Sequence, residues 1–239
     1  MASLTASPRA HFVIHNPVTR PGECILVTGA NGYIASHLID QLLAAGYRVR
    51  GTVRDLVKYE WVQKFFNQKY EVGVFELVLV DDMAADGAFD KAIKGRLSYR
   101  SLEERFANIA FRVSKGVSGV CHVAIGGFPV DLNVIDYTVN STKKLLEVAS
   151  REPLVRRFVY TSSITAAFNQ SFDGLLTVDE NTWNRQVVEM LATPTPGSNM
   201  SDPMTRALTL YGASKIIAEW EIYISNNGSM EVNSCMSGW

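Results

Sequence analysis

The sequence has little cysteine, no excess of charge of either sign and no long apolar run. Its three cysteines, Cys24, Cys121 and Cys235, lie far apart and form no CxxC pair, which excludes a disulfide-stapled fold, argues against a zinc site and predicts reduced thiols in a cytoplasmic protein. Twenty-three basic side chains balance 24 acidic ones, for a net charge of −1, which argues against nucleic acid or an anionic membrane as a partner. No apolar run approaches the roughly 18 residues of a membrane span.

What the sequence does have is the length and composition of one large globular domain. It contains 239 residues, of which 47% are hydrophobic and 20% charged, close to the average for folded domains. Residues 1–22 contain arginine and no acidic residue, a bias that transit peptides share, but their three prolines favour a flexible N-terminal arm. We therefore expect an arm over residues 1–22 and one folded domain over residues 23–239.

Short apolar runs alternate with helical patterns along this domain. Helices are predicted from Ile34 to Ala45, ahead of Gly46, and from Val139 to Ser150, because apolar residues recur there at helical spacing. The predicted strands are Cys24 to Val27, Tyr47 to Val53, Phe75 to Val80, Val117 to Ala124 and Arg157 to Thr161. Strands that alternate with helices form parallel βαβ units, so we expect an α/β fold with a doubly wound parallel sheet.

Gly29, Gly32 and Ala35 form a GxxGxxA turn directly after the first predicted strand. The first glycine permits a tight turn, and the second lets the backbone approach a pyrophosphate at the N-terminus of the following helix. The small third residue lets that helix pack against the strand. Turns use glycine routinely, but a triplet between an apolar strand and an amphipathic helix predicts a Rossmann-type NAD(P)-binding domain.

The end of the second predicted strand indicates which dinucleotide is bound. Sites selective for NAD place an acidic residue there, which accepts a hydrogen bond from the ribose 2′-hydroxyl. In this sequence the strand ends in Arg54, and Lys58 follows; a guanidinium pairs well with a 2′-phosphate. Asp55 comes next and keeps NAD possible, and both residues could simply solvate the strand end. We predict NADP(H) in preference to NAD(H).

A second pattern predicts acid–base chemistry. Tyr211 and Lys215 lie at i and i+4 on one face of a predicted helix, and Ser163 follows the fifth predicted strand, at the sheet edge where ligands bind. A serine hydroxyl can donate to a carbonyl and a tyrosine can supply the proton. The lysine can hold a ribose and lower the tyrosine pKa, which is ordinarily about 10. The alternative is a helix with an exposed lysine.

Four segments, TGANGYIASHL, VRGTVRD, RRFVYTSS and YGASK, resemble the extended short-chain dehydrogenase/reductases. The resemblance is to the branch of dihydroflavonol reductases and fungal aldehyde or ketone reductases, and it covers residues 18–233. It implies pyrophosphate contacts by Thr28, Gly29, Gly32, Tyr33 and Ile34, and 2′-phosphate contacts by Arg54 and Lys58. It also implies adenine contacts by Asp82 and Met83, and it places Val123 and Ala124 behind the cofactor. Thr161 and Ser162 would contact the nicotinamide ribose. Ser163, Tyr211 and Lys215 match the family's catalytic triad, whose tyrosine and lysine also contact the cofactor. Asp179, Glu180 and Trp183 resemble the DE..W element that borders substrate in the family.

The sequence departs from this family in two places. Between the third and fourth predicted strands stand 21 unexpected residues, Gly95 to Lys115, with the dipeptide Lys-Gly at each junction. They are either a retained intron that keeps the reading frame or an inserted helix, since apolar residues recur among them at helical spacing. The second departure is the end of the sequence, shortly after Val232 begins a further strand. Most of the family's substrate lobe is therefore expected to be missing.

The function predicted is that of an NADP(H)-dependent oxidoreductase that reduces an aldehyde or ketone to an alcohol. Its expected partner is a small-molecule carbonyl or alcohol substrate, with no metal, nucleic acid or membrane. An alternative is a catalytically silent nucleotide-binding fragment or isoform of such a reductase, because the substrate lobe is expected to be missing. A sugar-nucleotide epimerase would share the triad but matches the VRGTVRD segment less well.

Overall fold

The computed structural model describes residues 17–94, 116–125, 133–168, 177–179, 181–192, 202–226, 228 and 230–237. Its sheet has the strands β1 Cys24–Val27, β2 Arg48–Val53, β3 Phe75–Leu79, β4 Gly119–His122, β5 Arg157–Ser163 and β6 Glu231–Ser237, in the order β3-β2-β1-β4-β5-β6. All of the pairings are parallel. The helices are α1 Tyr33–Ala44, α2 Glu60–Lys69, α3 Asp90–Lys94, α4 Asn133–Ser150, α5 Arg185–Ala192 and α6 Pro203–Ser225. A 3-10 turn, Ile164–Ala166, follows β5.

The core lies on both faces of the sheet. Because successive side chains of a strand point to opposite faces, Cys24 and Leu26 of β1 join one apolar cluster and Ile25 and Val27 join the other. The first cluster includes residues of α3, α4 and α6, and the second includes residues of α1 and α2. Helices on both faces of a parallel sheet confirm the predicted doubly wound α/β fold.

The predicted elements are present with small shifts at their ends. The fourth strand is shorter than expected, because its backbone pairing with β5 begins at Gly119 and ends at His122. The helices α2 and α5 were not predicted, although Val62 and Phe66 are buried one turn apart on α2. The free cysteines Cys24, Cys121 and Cys235 form no disulfide.

The described part of the predicted flexible arm is held against the domain. Gly22 N donates to Gly46 O at 2.7 Å, and the hydroxyl of Tyr47 donates to Thr19 O at 2.9 Å. Arg156 Nε donates to Val18 O, also at 2.9 Å. Hydrogen bonds thus join residues 17–22 to the turn before β2 and to the chain before β5, and the arm predicted over residues 1–22 stays a prediction. Residues 1–16 lie outside the described residues.

The two ends of the predicted insertion meet in space. Val117 N donates to Ile93 O at 3.0 Å, so the residues that flank the segment 95–115 on its two sides lie next to each other. Gly116 also lies close to the Ile93 carbonyl, since a Cβ on Gly116 would be 3.0 Å from Ile93 O. Residues 95–115 lie outside the described residues. The inserted helix and the retained intron therefore both stay predictions.

Nothing in the described ranges suggests a membrane span or a metal site. None of the helices described there is long and apolar enough to cross a membrane. The same residues contain no group of three or more His, Cys, Asp or Glu side chains that could hold a metal ion.

Candidate functional site

A cleft of about 740 Å³ opens at the carboxyl ends of β1 to β4, where strand order reverses beside β1. Ligands of doubly wound sheets bind at this point, because the loops after neighbouring strands diverge there. The residues that were predicted to bind the cofactor and that do line this cleft are Gly29, Gly32, Tyr33, Ile34, Arg54, Asp82, Met83, Val123 and Ala124. The sheet thus brings together residues from four separate loops.

The glycine turn has the geometry that an anion needs. Gly29 has a φ of +68°, and a Cβ on it would lie 3.0 Å from the Cβ of Ala124, so no larger residue fits there without strain. Gly32 is the N-cap of α1 and offers no side-chain cap, and the first turn of the helix contains no acidic residue. The backbone N–H groups at this helix end are therefore left for an anionic group in the cleft.

Thr28 lies beneath the cleft and does not line it. Its buried Oγ1 accepts hydrogen bonds from Val123 N and Ala124 N, both at 2.9 Å, and lies 2.9 Å from His122 Nδ1. Both lone pairs of the hydroxyl are used in this way, so its proton goes to Nδ1. The side chain of Thr28 thus holds the loop of Val123 and Ala124, and the pyrophosphate contact predicted for Thr28 stays a prediction.

The end of β2 presents Arg54 to the cleft and turns Asp55 to its own loop. Arg54 lines the cleft. One carboxylate oxygen of Asp55 accepts from Val57 N and Lys58 N, both at 2.9 Å. Lys58 is not part of the cleft wall, and its amino group lies 5.5 Å from the ring centroid of Tyr59.

Tyr137, on α4, is a wall residue that the sequence analysis missed. Its hydroxyl accepts from Met83 N at 3.3 Å, and its ring packs partly against the first apolar cluster. Asp82 lies beside it and its carboxylate accepts from Ala84 N at 2.9 Å. A single tyrosine in an amphipathic helix carries no recognisable motif, so nothing in the sequence pointed to it.

Ser163, Tyr211 and Lys215 come together at the end of β5, next to the cleft. The side chains of Ser163 and Tyr211 are neighbours, and Lys215 Nζ lies 5.9 Å from the centroid of the Tyr211 ring. The register that pairs His122 with Tyr160 places these residues alongside the loop after β4. The trio is not part of the cleft wall, but Val123 and Ala124 are.

Burial sets the proton affinities of this trio. It raises the pKa of Tyr211 above its ordinary value, and the neighbouring Ser163 hydroxyl opposes the rise. Burial lowers the pKa of Lys215 to about 8, opposed by the charge of Glu219 and by Cys235. The tyrosine pKa was predicted to be lowered with the help of Lys215; the described residues raise it, because desolvation outweighs the effect of Ser163.

The two residues before Ser163 use their polar groups within the protein. Lys215 Nζ donates to Thr161 O at 2.6 Å, and the hydroxyl of Ser162 donates to Glu219 Oε2, also at 2.6 Å. Ser162 is fully buried. The ribose contacts predicted for Thr161 and Ser162 stay predictions, and Glu219 is a polar neighbour that the sequence analysis missed.

The segment that resembles the DE..W element lies beside a smaller cleft of about 340 Å³ near β6. The Asp179 carboxylate accepts from the Thr182 hydroxyl at 2.7 Å, a bond that lowers the pKa of Asp179. The Trp183 ring packs against Trp220 and Tyr223 of α6, with centroids 5.8 and 6.2 Å away. Both Asp179 and Trp183 line this cleft; Glu180 lies outside the described residues.

Comparison with known sequences adds an independent finding. Aldehyde reductase 2 from Sporidiobolus salmonicolor is 34% identical over 233 residues, which cover 95% of this chain and 60% of that protein. The ketoreductase adrE from Penicillium rubens is 34% identical over 227 residues, 92% of this chain and 58% of that protein. The chain thus spans about 60% of the length of these relatives.

Solved structures show the same fold. Gre2 from Candida albicans, determined in complex with NADPH, has a TM-score of 0.67 and 25% identity, over 91% of this chain and 58% of that one. The yeast methylglyoxal/isovaleraldehyde reductase Gre2, also complexed with NADPH, has a TM-score of 0.65 and 25% identity, over 90% and 58%. The model of the NAD dependent epimerase/dehydratase family matches residues 25–235. With the glycine turn, the sheet order and these matches in agreement, the chain belongs to the NAD dependent epimerase/dehydratase family.

Proposed function

We propose that the protein is an NADP(H)-dependent oxidoreductase that reduces an aldehyde or ketone to an alcohol. The observation that carries the proposal is the grouping of Ser163, Tyr211 and Lys215 at the end of β5, beside a cleft built for a dinucleotide. A tyrosine and a serine side by side, with a buried lysine one turn away, have the chemistry needed to deliver a proton to a carbonyl oxygen. The matches to an aldehyde reductase and a ketoreductase support this reading.

The residues of the cleft fit a dinucleotide. Gly29 and Gly32 let a pyrophosphate approach the backbone, and the uncapped N-terminus of α1 favours its charge. Arg54 would pair with a 2′-phosphate, and Asp82 and Met83 lie at the same end of the cleft. We propose NADP(H) because the Asp55 carboxylate, which a site selective for NAD would use, is already bonded to the amides of its own loop.

The chemistry assigned to the chain's own residues is proton delivery. Bound NADPH supplies a hydride to the substrate carbon. Ser163 donates a hydrogen bond to the substrate oxygen, and the raised pKa of Tyr211 keeps its hydroxyl protonated and able to give that oxygen its proton. Lys215, held by the carbonyl of Thr161, provides a positive charge near the tyrosinate that the transfer leaves.

Turnover of a panel of aldehydes and ketones, followed by NADPH oxidation, tests the proposal. In a protein with measurable turnover, Tyr211→Phe removes only the transferable proton, so the rate should fall by about 10²–10⁴-fold, the range for general acid catalysis. The affinity for NADPH should stay within about twofold, since the phenyl ring keeps the packing. Tyr47→Phe, which removes a hydroxyl bonded to Thr19 O far from the site, is the matched control.

The outcomes separate the candidate functions. Retained turnover in Tyr211→Phe would rule out this mechanism. Tight NADPH binding without turnover of any carbonyl would favour the silent nucleotide-binding alternative, and turnover of nucleotide sugars alone would favour an epimerase.

A further inference from the structure

Helix α6 is joined to the end of strand β5 by three polar contacts in a row. Tyr211, Lys215 and Glu219 are spaced four residues apart on α6, and they meet Ser163, Thr161 and Ser162 respectively. The first two contacts belong to the proposed catalytic trio. The third, between Ser162 and Glu219, has no part in the chemistry described so far.

Glu219 is a buried carboxylate whose position needs a reason. It is 3% exposed, and burying a carboxylate is costly unless hydrogen bonds or an opposite charge compensate it. Ser162 provides one hydrogen bond. The opposite charge is that of Lys215, 2% exposed and one helical turn away, where Cβ atoms are about 5–6 Å apart.

Glu219 differs in chemistry from the other titratable neighbours of Lys215. The titratable side chains that act on Lys215 or lie against it come from α6, β4, β5 and β6, and they are Glu219, Tyr211, His122, Tyr160 and Cys235. Among these described groups, Glu219 is the only carboxylate. The Lys215 ammonium is buried against an aromatic ring, 4.8 Å from the centroid of Tyr160, and Glu219 favours its charged form more than Cys235 does.

We propose that Glu219 is a positioning residue for the Ser163–Tyr211–Lys215 site, which keeps Lys215 in its ammonium form and fixes α6 against β5 through Ser162. The proposal rests on the catalytic role proposed above for that trio. Without Glu219 the ammonium would be buried with no opposite charge from the described residues. It would then lose its proton near neutral pH and no longer stabilise a tyrosinate.

The sign of the expected pH effect follows from the charges. Burial lowers the pKa of Lys215 to about 8, and Glu219 raises it. In Glu219→Gln the raising charge is lost while an amide oxygen still accepts from Ser162. The pKa of Lys215 should therefore fall by about one unit or more. The alkaline limb of the proposed turnover should move to lower pH by the same amount.

The experiment is an NMR titration of the full chain labelled with ¹³C at the lysine Cε, with the Lys215 signal assigned from its absence in Lys215→Met. Glu219→Asp, which keeps the charge, should leave the Lys215 pKa near its wild-type value. Glu221→Gln is the matched control, because Glu221 lies on the same helix and pairs with Lys143 on α4, 3.0 Å away. The pH dependence of carbonyl reduction is measured on the same proteins.

A Lys215 pKa in Glu219→Gln equal to that of the wild type would overturn the proposal, and so would an equal fall in Glu221→Gln. If Glu219→Gln does not fold, Glu219→Gln combined with Lys215→Met decides. The double variant should fold as well as Lys215→Met if Glu219 acts through Lys215. If the double variant failed to fold, as Glu219→Gln had, while Lys215→Met folded, Glu219 would be merely structural. A wild-type protein that reduces no carbonyl would defeat the proposed function, while the titration would still judge the link between Glu219 and Lys215.

Discussion

At the scale of single residues, the proposed preference for NADP(H) depends on two neighbours at the end of β2. Arg54 and Asp55 carry opposite charges and are adjacent in sequence, so either could in principle face a ribose. The structure gives them different tasks: Arg54 lines the cleft, and the Asp55 carboxylate caps the amides of Val57 and Lys58. A carboxylate with two amide partners has little reason to leave them for a ribose hydroxyl.

The first prediction concerns Arg54. Arg54→Ala should weaken NADPH binding by about 1.5–3 kcal/mol, because a charge-assisted hydrogen bond to the 2′-phosphate is lost, and should change NADH binding little. Calorimetric titration with both cofactors measures this. Lys58→Ala is the matched control, since Lys58 is a nearby cation outside the cleft wall, and it should cost less. An equal loss for NADPH and NADH in Arg54→Ala would mean that Arg54 is structural.

At the scale of the secondary-structure elements, a chain of buried polar side chains ties β1, β4 and α4 together under the cleft. Thr28 donates to His122 Nδ1, so His122 Nε2 carries the ring proton and donates to Thr142 Oγ1 at 3.2 Å. Thr142 in turn donates to Thr138 O at 2.7 Å. Every donor in this chain has an acceptor only while His122 is neutral, and burial lowers the pKa of His122 to about 3.

The second prediction follows from this pKa. Unfolded, His122 takes up a proton below its ordinary pKa of 6.5, whereas the folded protein resists protonation down to a pH of about 3. The unfolded state therefore binds more protons between these values, and the free energy of unfolding should decrease as the pH falls, by about 3 kcal/mol from pH 7 to pH 4. Urea unfolding at several pH values measures the slope.

His122→Gln should remove most of this slope, because glutamine does not titrate. His37→Gln is the matched control: His37 is an exposed histidine on α1 in edge-to-face contact with Tyr33, with ring centroids 4.7 Å apart, and its replacement should leave the slope unchanged. If His122→Gln lost stability with acid as steeply as the wild type, the neutral buried histidine would not be the cause.

At the scale of the whole molecule, the two parts of the chain that flank residues 95–115 lie next to each other. The bond from Val117 N to Ile93 O is the one that a four-residue turn of Ile93, Lys94, Gly116 and Val117 would make if the residues between were absent. The two junctions are therefore already placed for direct connection. We propose that the 21 residues are dispensable for the nucleotide-binding fold.

The third prediction is that deletion of Gly95 to Lys115 leaves a protein that folds and binds NADPH as the full chain does. Its free energy of unfolding should be equal or higher, since a shorter connection costs less closure entropy, about 0.6 kcal/mol for each halving of length. Thermal melting and NADPH titration measure both. Replacement of the segment by 21 glycine and serine residues is the control for its sequence.

A deleted protein that failed to fold, beside a full chain that folds, would contradict this proposal. The origin of the segment is a separate question, which sequencing of the transcript answers. A dominant message that keeps the 63 nucleotides of these 21 codons would rule out the retained intron.

Local patterns in the sequence determined the fold class and most of the site. The apolar run of β1 followed by Gly29 and Gly32 predicts a strand, a tight turn and a helix without any knowledge of distant residues, because each feature depends on neighbours in the chain. Tyr211 and Lys215 share a helix face through their spacing alone. That they would meet Ser163 could be expected, since the end of a strand and a following helix come together in this kind of sheet.

What only the tertiary structure decided depends on groups far apart in sequence. The burial of Thr28 against His122, the bond of Ser162 to Glu219 and the closure from Ile93 to Val117 join residues between 24 and 94 positions apart. Periodicity shows which face of a helix or strand is buried, but not which side chain of a distant element forms a hydrogen bond with a polar group on that face. A buried polar group must find such a partner, and the packing of the sheet and its helices supplies it. For this reason Glu219, His122 and Tyr137 became visible as parts of the site only in the folded chain.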